Sequence, residues 1–292
     1  MTDFLMRVAG LDVAVRSLYD RIAEQSADYL LPSQGFDRDA AKADIAVEIS
    51  PADIGHEREI GEPGDWSDPY LETLAVFRKI AEVAPAHRRL VFHGATIEYQ
   101  GKAYIFTAPS GTGKTTHIRL WKRVFGDRVG IINGDKPMLE VRCDADDRRV
   151  ADGRQRVGGE RHASVIAYGT PWAGKERWQR NVSAPVAGIC VVNRATDAVH
   201  DDGLQAADAL GSGTAFVDGD GVANTCERMN AAEAMPLILR QTYMPSDPSM
   251  VAETLELLDE VLADVPVYRL SCTISEAAVK ASSTAMTASR PL

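Results

Sequence analysis

Residues 110–116 read Ser110-Gly111-Thr112-Gly113-Lys114-Thr115-Thr116, close behind an apolar, β-rich run at 103–107. Glycines two positions apart let the main chain turn tightly enough to aim several N–H groups at one anion. A helical pattern follows at once, with Ile118, Trp121 and Phe125 on one face, and a helix start adds the positive end of its dipole. In such a cradle Lys114 can reach the outer phosphates of a nucleotide, and the Thr115 hydroxyl is placed to ligate Mg²⁺. Ser110, Gly111, Thr112, Gly113, Lys114, Thr115 and Thr116 are therefore the candidate nucleotide-binding residues.

The order strand, glycine loop, helix is the context of a Walker A motif, GxxxxGK[ST]. The first glycine of that pattern is here Ala108. Alanine favours negative φ where glycine is free, so the start of the loop is expected to be shaped differently. Phosphoryl transfer also needs a carboxylate for the metal, a group to activate the acceptor, and cations for developing charge. The short apolar run at 129–132 leads into Asn133-Gly134-Asp135-Lys136. An acid at the end of a buried strand, just beyond the loop helix, is where a metal-orienting carboxylate belongs. Asp135 is that candidate, paired with Thr115; the competing reading is an ordinary turn aspartate, since Asn-Gly-Asp is also turn chemistry.

Two further residues are catalytic candidates beside Asp135. His93 closes the strand-like run before the hairpin that feeds the loop, and stands between a catalytic and a satisfied structural role. The string Tyr168-Gly169-Thr170-Pro171-Trp172-Ala173-Gly174-Lys175 leaves a strand and turns sharply. A rigid loop there could present Lys175 to a phosphoryl group; a solvated surface lysine is the alternative. His56, His87, His117, His162 and His200 lack ligand-like spacing, so no histidine metal site is expected.

The elements that must position these residues follow from periodicity. Apolar residues Leu71, Leu74, Phe77, Ile80 and Val83 repeat at helical spacing, ended by Pro85. Runs at 89–93, 95–99 and 103–107 read as strands, with Gln100-Gly101-Lys102 as a hairpin turn. Further buried strands are expected at 129–132, 165–168 and 186–192, a short one at 215–217, and a helix at 250–261 entered through Ser246-Asp247-Pro248. Before residue 65 the signal is weaker: a helix within 13–31, a strand at 44–49 with Ile45, Val47 and Ile49 on one face, and a connecting loop at 51–69. Segments 142–162 and 197–224 are polar and glycine-rich and read as excursions. The resulting division is an N-terminal α/β subregion at 1–69, a core at 70–278 and a flexible Ala/Ser/Thr-rich tail at 279–292.

Composition narrows the function classes. The chain has 292 residues, 45% hydrophobic and 25% charged, with 32 Lys plus Arg against 42 Asp plus Glu, a formal net charge of −10. That balance argues against a nucleic-acid partner, which leaves a basic footprint. Cys143, Cys190, Cys226 and Cys272 are far apart and form no CxxC pair, so neither a zinc knuckle nor a disulfide framework is expected and a reducing cytoplasm fits. The apolar run at 184–192 is about half a membrane helix, so no membrane partner is expected.

Taken in order, these motifs resemble the P-loop kinase group that contains HPr kinase/phosphorylase and, more distantly, ATP-dependent phosphoenolpyruvate carboxykinase. The resemblance spans residues 92–272. It is carried by His93-Gly94, the 110–116 loop, the 133–136 and 168–175 strings, Asn181 before an apolar strand, Gln241-Thr242-Tyr243-Met244-Pro245, and Tyr268-Arg269-Leu270. It implies an α/β fold: a mixed β-sheet P-loop kinase core with flanking helices beside a smaller N-terminal subregion. It implies transfer of the γ-phosphoryl group of ATP to a hydroxyl, with Mg²⁺. Lys114 and Thr115 would hold phosphates and metal, Asp135 would assist the metal, and His93 would approach the reaction centre.

Where the kinase/phosphorylase pattern has two consecutive aspartates, the first of them the proton acceptor, this chain has Gly134. The base is then His93, or Asp135 in two roles, or the substitution silences the chemistry, or the chain binds nucleotide without turnover. On this reading Gly134→Asp is expected to raise phosphotransfer with ATP affinity little changed. The acceptor expected is a hydroxyl of a small molecule (polyol or amino acid) or of a peptide or protein serine. The alternative is a nucleotide-binding regulatory module; a carboxykinase-type lyase lacks a recognisable arginine set. A homo-oligomer is compatible with the sequence.

Overall fold

The computed structural model describes residues 1–143, 163–195 and 214–287. It is a mixed α/β protein with two mixed sheets, and eight α-helices among the described residues. Strands β1 (Thr2–Val8) and β2 (Leu11–Ser17) form a hairpin closed by Ala9 and Gly10, both at positive φ. With β3 (Leu30–Leu31) and β4 (Ile45–Glu48) they make a four-stranded sheet in the order β3-β1-β2-β4, β4 running parallel to β2. The helix expected within 13–31 is thus replaced by β2, followed by a short α1 (Arg21–Gln25). Leu11, Val13, Ala14 and Val15 are all buried, and the β-branched Val13 and Val15 at period two outweigh the helical spacing further on.

Helix α2 (Phe36–Ala40) packs on this sheet. The expected loop at 51–69 instead contains α3 (Pro51–Ile60). Its start is explicit: Ser50 and Asp53 form a capping box, and Pro51 occupies the first turn, where a missing N–H costs nothing. Prolines and charges here mark a helix start rather than a linker. Helix α4 (Asp68–Val83) follows as expected, but its buried Leu71, Ala75, Val76 and Ile80 pack with Met6, Val13 and Val15 of the small sheet. Trp172 and Met138 join that cluster, so the N-terminal core reaches into the larger unit.

Beyond α4 the chain forms β5 (Arg89–Val91), β6 (Ala95–Tyr99), β7 (Lys102–Thr107), α5 (Lys114–Phe125), β8 (Val129–Asn133), β9 (Met138–Cys143), β10 (Ala163–Tyr168), β11 (Ser183–Arg194), β12 (Thr214–Val217) and β13 (Ala223–Met229). It ends with α6 (Ala231–Leu239), α7 (Pro248–Asp264), β14 (Val267–Cys272) and α8 (Glu276–Thr287). The long β11 is the fork of the second sheet. Its first residues pair with β10, while its later part runs parallel to both β7 and β14, and the sheet curls into a half-barrel. Strand β6 lies antiparallel to both β7 and β8. The C-terminal ends of β7, β8, β11 and β14 and the start of β6 therefore face one end of the sheet.

Both faces of the central strands are covered, which is why they read as continuous apolar runs. Ile105, Ile189 and Val191 pack with Ile238 of α6 and Leu257, Leu258 and Val261 of α7. Phe106, Cys190 and Val192 pack with Ile118 and Trp121 of α5 and with Val279, Ala281 and Met286 of α8. Residues 279–287, expected to be part of a frayed tail, therefore belong to a packed helix. Small Ala and Ser side chains, which read as low complexity, let α8 approach α5 closely. The Trp121 indole N–H donates to both His117 Nε2 and Ser282 Oγ at 3.1 Å, with His117 and Ser282 also 3.1 Å apart.

The excursions expected at 142–162 and 197–224 fall largely outside the described residues, apart from β12, which holds the strand expected at 215–217. Among the described residues no helix is long and apolar enough to cross a membrane.

Burial drives the His117 imidazole down to about 3 from its ordinary 6.5. Above pH 6.5 the ring is neutral in folded and unfolded chains alike, and contributes no pH dependence. Below that value the unfolded chain takes up a proton that the folded chain refuses, costing about 1.4 kcal/mol per pH unit until the folded value is reached. Urea titrations from pH 7 to pH 4 should therefore show a shallower acid loss of stability in His117→Gln than in the wild-type chain.

Candidate functional site

The glycine loop leaves β7 at Thr107 and enters α5 at Lys114, as the sequence indicates. Gly111 and Gly113 adopt φ of 78° and 121°. A Cβ at either would meet nothing within 4 Å, so backbone conformation, not space, demands glycine there. Ala108 is buried and shows no positive φ, so alanine is accommodated at the first position of the motif. Its carbonyl has a definite role: it accepts the Lys114 Nζ at 2.7 Å, and the Pro109 carbonyl lies 3.4 Å from the same amine. The Thr112 hydroxyl donates to the Pro109 carbonyl at 2.9 Å, and the N–H of His117 closes the first helical turn on the Gly113 carbonyl.

Asp135 sits at the same end of the sheet because β8 runs alongside β6 in the same sense as β7. Its local geometry is set by Asn133, whose buried side-chain Oδ1 accepts the N–H groups of Asp135 and Lys136, each at 2.8 Å. The Asn133 amide donates in turn to the Thr170 carbonyl and hydroxyl, both at 3.1 Å. A single side chain thus makes the turn and anchors it to the following loop.

His93 meets Asp135 here. The imidazole Nε2 lies 3.4 Å from Asp135 Oδ1, and Nδ1 lies 3.0 Å from Gln241 Oε1. The backbone reinforces the pairing: Gly94 N–H donates to the Asp135 carbonyl at 2.9 Å, and His93 N–H donates to the Gln241 carbonyl at 2.6 Å.

Electrostatics tie these groups to the glycine loop. Burial alone would raise the Asp135 carboxyl, but the His93 hydrogen bond, with Lys136 and Lys114 nearby, holds it below the ordinary carboxylate value. Lys114 is lowered from the usual lysine value by burial, partly offset by attraction to Asp135 and reinforced by the positive Lys136. Each group is thus within electrostatic reach of the other, in a setting where charges interact more strongly than in water.

Lys175 lies on an exposed turn, and among the described residues its amine makes no hydrogen bond or ion pair. Its neighbour Gly174 passes directly over the carboxylate: a Cβ there would stand 3.1 Å from Asp135 Cβ, and φ is 73°. The loop is held from behind by the N-terminal unit. Trp172 Nε1 donates to the Thr73 carbonyl at 2.8 Å, Gln25 Nε2 to the Pro171 carbonyl at 3.0 Å, and Asn181 Nδ2 to the Asp28 carbonyl at 2.8 Å. The same crossing explains Gly134, where a Cβ would lie 2.8 Å from the Ala173 carbonyl oxygen. The expected gain of function from Gly134→Asp is therefore corrected: any side chain at that position collides with backbone before it can act.

The structure thus brings together Lys114, Asp135 and His93, with the Gly174–Lys175 turn above them. Sequence reasoning missed Asn133, Gln241 and Lys136 as site builders, although all three lie in motifs it singled out. It also missed Arg194 at the end of β11. That guanidinium donates to the Gly111 carbonyl at 2.8 Å and lies 3.5 Å from the Thr112 carbonyl; only the strand pairing reveals it. Among the described residues no group of three or more His, Cys, Asp or Glu could hold a metal ion, and all four cysteines are free thiols. No protein-family model matches the chain, and no curated protein matches it.

Since the loop carbonyl above Gly134 belongs to the main chain, Gly134→Ala should lower stability by on the order of 1–3 kcal/mol. Chemical denaturation compared with the wild type checks this; an unchanged midpoint would show that the 172–175 loop yields freely.

Proposed function

We propose that the protein is a Mg²⁺- and ATP-dependent phosphotransferase of the P-loop kinase type. It would move the γ-phosphoryl group to a hydroxyl of a small molecule or of a peptide serine. The observation that carries this reading is the meeting of Lys114 with the Asp135–His93 pair at the sheet end where the glycine loop enters α5. In this reading the loop N–H groups and the α5 N-terminus take the phosphates. Lys114 exchanges the Ala108 carbonyl for a phosphate oxygen, trading a neutral acceptor for a charged one.

The donor set suits Mg²⁺, which binds through one or two protein oxygens and fills its shell with phosphates and water. Thr115 and Asp135 would hold it, and the ion would neutralise charge on the transferring group. Asp135, ionised at neutral pH, accepts the hydroxyl proton of the acceptor as that oxygen bonds to phosphorus and the bond to ADP breaks. His93 fixes the carboxylate through Nε2 while Gln241 holds the ring at Nδ1. With Gly134 closed to any side chain, the base and metal duties both fall on Asp135.

Calorimetric titration with Mg·ATP, followed by ADP release against a library of hydroxyl compounds, tests the reading. Lys114→Ala should weaken ATP binding by about two orders of magnitude or more, as expected for loss of a partly buried phosphate partner. Asp135→Asn should keep measurable ATP binding while turnover drops by roughly 10²–10⁴. Absence of Mg·ATP binding to the wild-type chain would sink the proposal; binding with no turnover would leave a nucleotide-binding module in its place.

The pH profile supplies a second check. Lys114 must be charged to bind phosphate, and burial lowers it from 10.5. Affinity for ATP should therefore be lost with rising pH from a point below 10.5. The carboxylate of Asp135 should stay ionised down to a pH below 3.8 in the free protein.

A further inference from the structure

Strand β8 is an edge of the large sheet, and residues 177–180 cross beside it. Arg180 N–H donates to the Ile132 carbonyl at 3.1 Å, and its Nε donates to the Ile131 carbonyl at 2.7 Å. Between this segment and the outer face of α5 lies a groove of about 560 Å³, within the range of small-molecule sites. Arg119, Lys122 and Arg123 line it from α5, and Arg177, Trp178 and Arg180 from the crossing segment. Residues 119, 122 and 123 share one exposed helix face by their spacing, flanking the buried Ile118 and Trp121.

The groove is positively charged in a chain of formal charge −10. Three carboxylates partly answer the five cations: Glu176 pairs with Arg119 at 2.7 Å, Glu98 with Arg180 at 3.4 Å and Glu276 with Arg123 at 3.8 Å. Among the described residues Lys122 reaches only the Val129 carbonyl, at 3.4 Å. The Arg177 side chain makes no ion pair among the described residues, on a residue held at φ 52°. The interior is different in character. Trp178, under the Arg119 guanidinium at 5.1 Å, and Ile131 provide apolar surface beneath the charged rim. Long cationic side chains add their methylene stems to such surface while keeping their heads at the rim. A bare inorganic ion would leave that surface wet, and a neutral apolar molecule would leave the cations unanswered.

We propose that this groove is a binding site for a small organic anion, a compound with an anionic group on an apolar or planar body. The anionic group sits at Arg177 and Lys122, and the body lies along Trp178 and Ile131. This site is separate from the glycine loop and does not depend on the nucleotide reading. The two share a boundary, because the 174–178 turn that forms one wall of the groove also passes over Asp135.

The probe is 2-naphthyl phosphate, titrated calorimetrically into the full-length, nucleotide-free protein beside 2-naphthol and inorganic phosphate. Saturable one-to-one binding of the ester is expected, at least ten-fold tighter than either fragment and weakened by added salt. Arg177→Ala and Lys122→Ala should each weaken it about ten-fold or more, and Lys114→Ala should leave it unchanged. Arg177→Gly removes the same charge while relaxing the positive φ, so its loss of binding cannot be ascribed to misfolding. The proposal is overturned by absence of saturable binding, by full retention in both Arg177 variants, or by loss in Lys114→Ala alone, which would move the ester to the glycine loop.

Discussion

The placement of β6 between β7 and β8 is the constraint on which the rest of the site depends. Because β6 runs antiparallel to both neighbours, β7 and β8 must run the same way. The glycine loop after one and the Asn133 turn after the other then leave the sheet at the same end. His93 lies just ahead of β6 and arrives at that end too. Strand register brings the three segments to one place, and direct contacts such as Gly94 N–H to the Asp135 carbonyl at 2.9 Å tie them together there. The buried Asn133 side chain then converts register into geometry, since it fixes the two N–H groups that aim Asp135 and Lys136.

The charged groups placed there are costly to bury, and their arrangement offsets that cost. Lys114 loses hydration but keeps two loop carbonyls within reach and feels Asp135. Asp135 loses hydration but gains His93, Lys136 and Lys114. A carboxylate in this setting remains ionised and an ammonium remains within reach of a charged ligand. This is the electrostatic state that the proposed phosphoryl transfer would need in place before a ligand arrives.

The N-terminal sheet takes part in this arrangement from a distance. Through α4 it supports two segments that border the site. Trp172 is held by the Thr73 carbonyl and packs against Phe77, which fixes the turn above Asp135. Tyr243, two residues beyond Gln241, donates to Glu82 and packs near Phe77 as well. The same face of one helix therefore holds both the loop over the carboxylate and the strand-like segment that steadies His93. This shared support explains why the hydrophobic cluster of the small sheet includes residues from the far end of the chain.

Local chemistry in the sequence by itself determined the glycine loop, the helix behind it, the hairpin at Gln100-Gly101 and the helices α4 and α7. In each case the deciding interactions lie within a few residues of one another. The capping box of α3 was equally local, yet its proline and charges mimicked a linker, and the period-two valines of β2 were obscured by apolar residues at helical spacing beyond them. Tertiary structure alone decided that α8 is packed rather than frayed, because small side chains reveal a close helix contact only when the opposing helix is present. It alone decided that Gly134 is closed by the Ala173 carbonyl and that Arg194 braces the glycine loop. Those contacts join residues tens of positions apart, and a side chain's type carries no record of which distant backbone atom will stand against it.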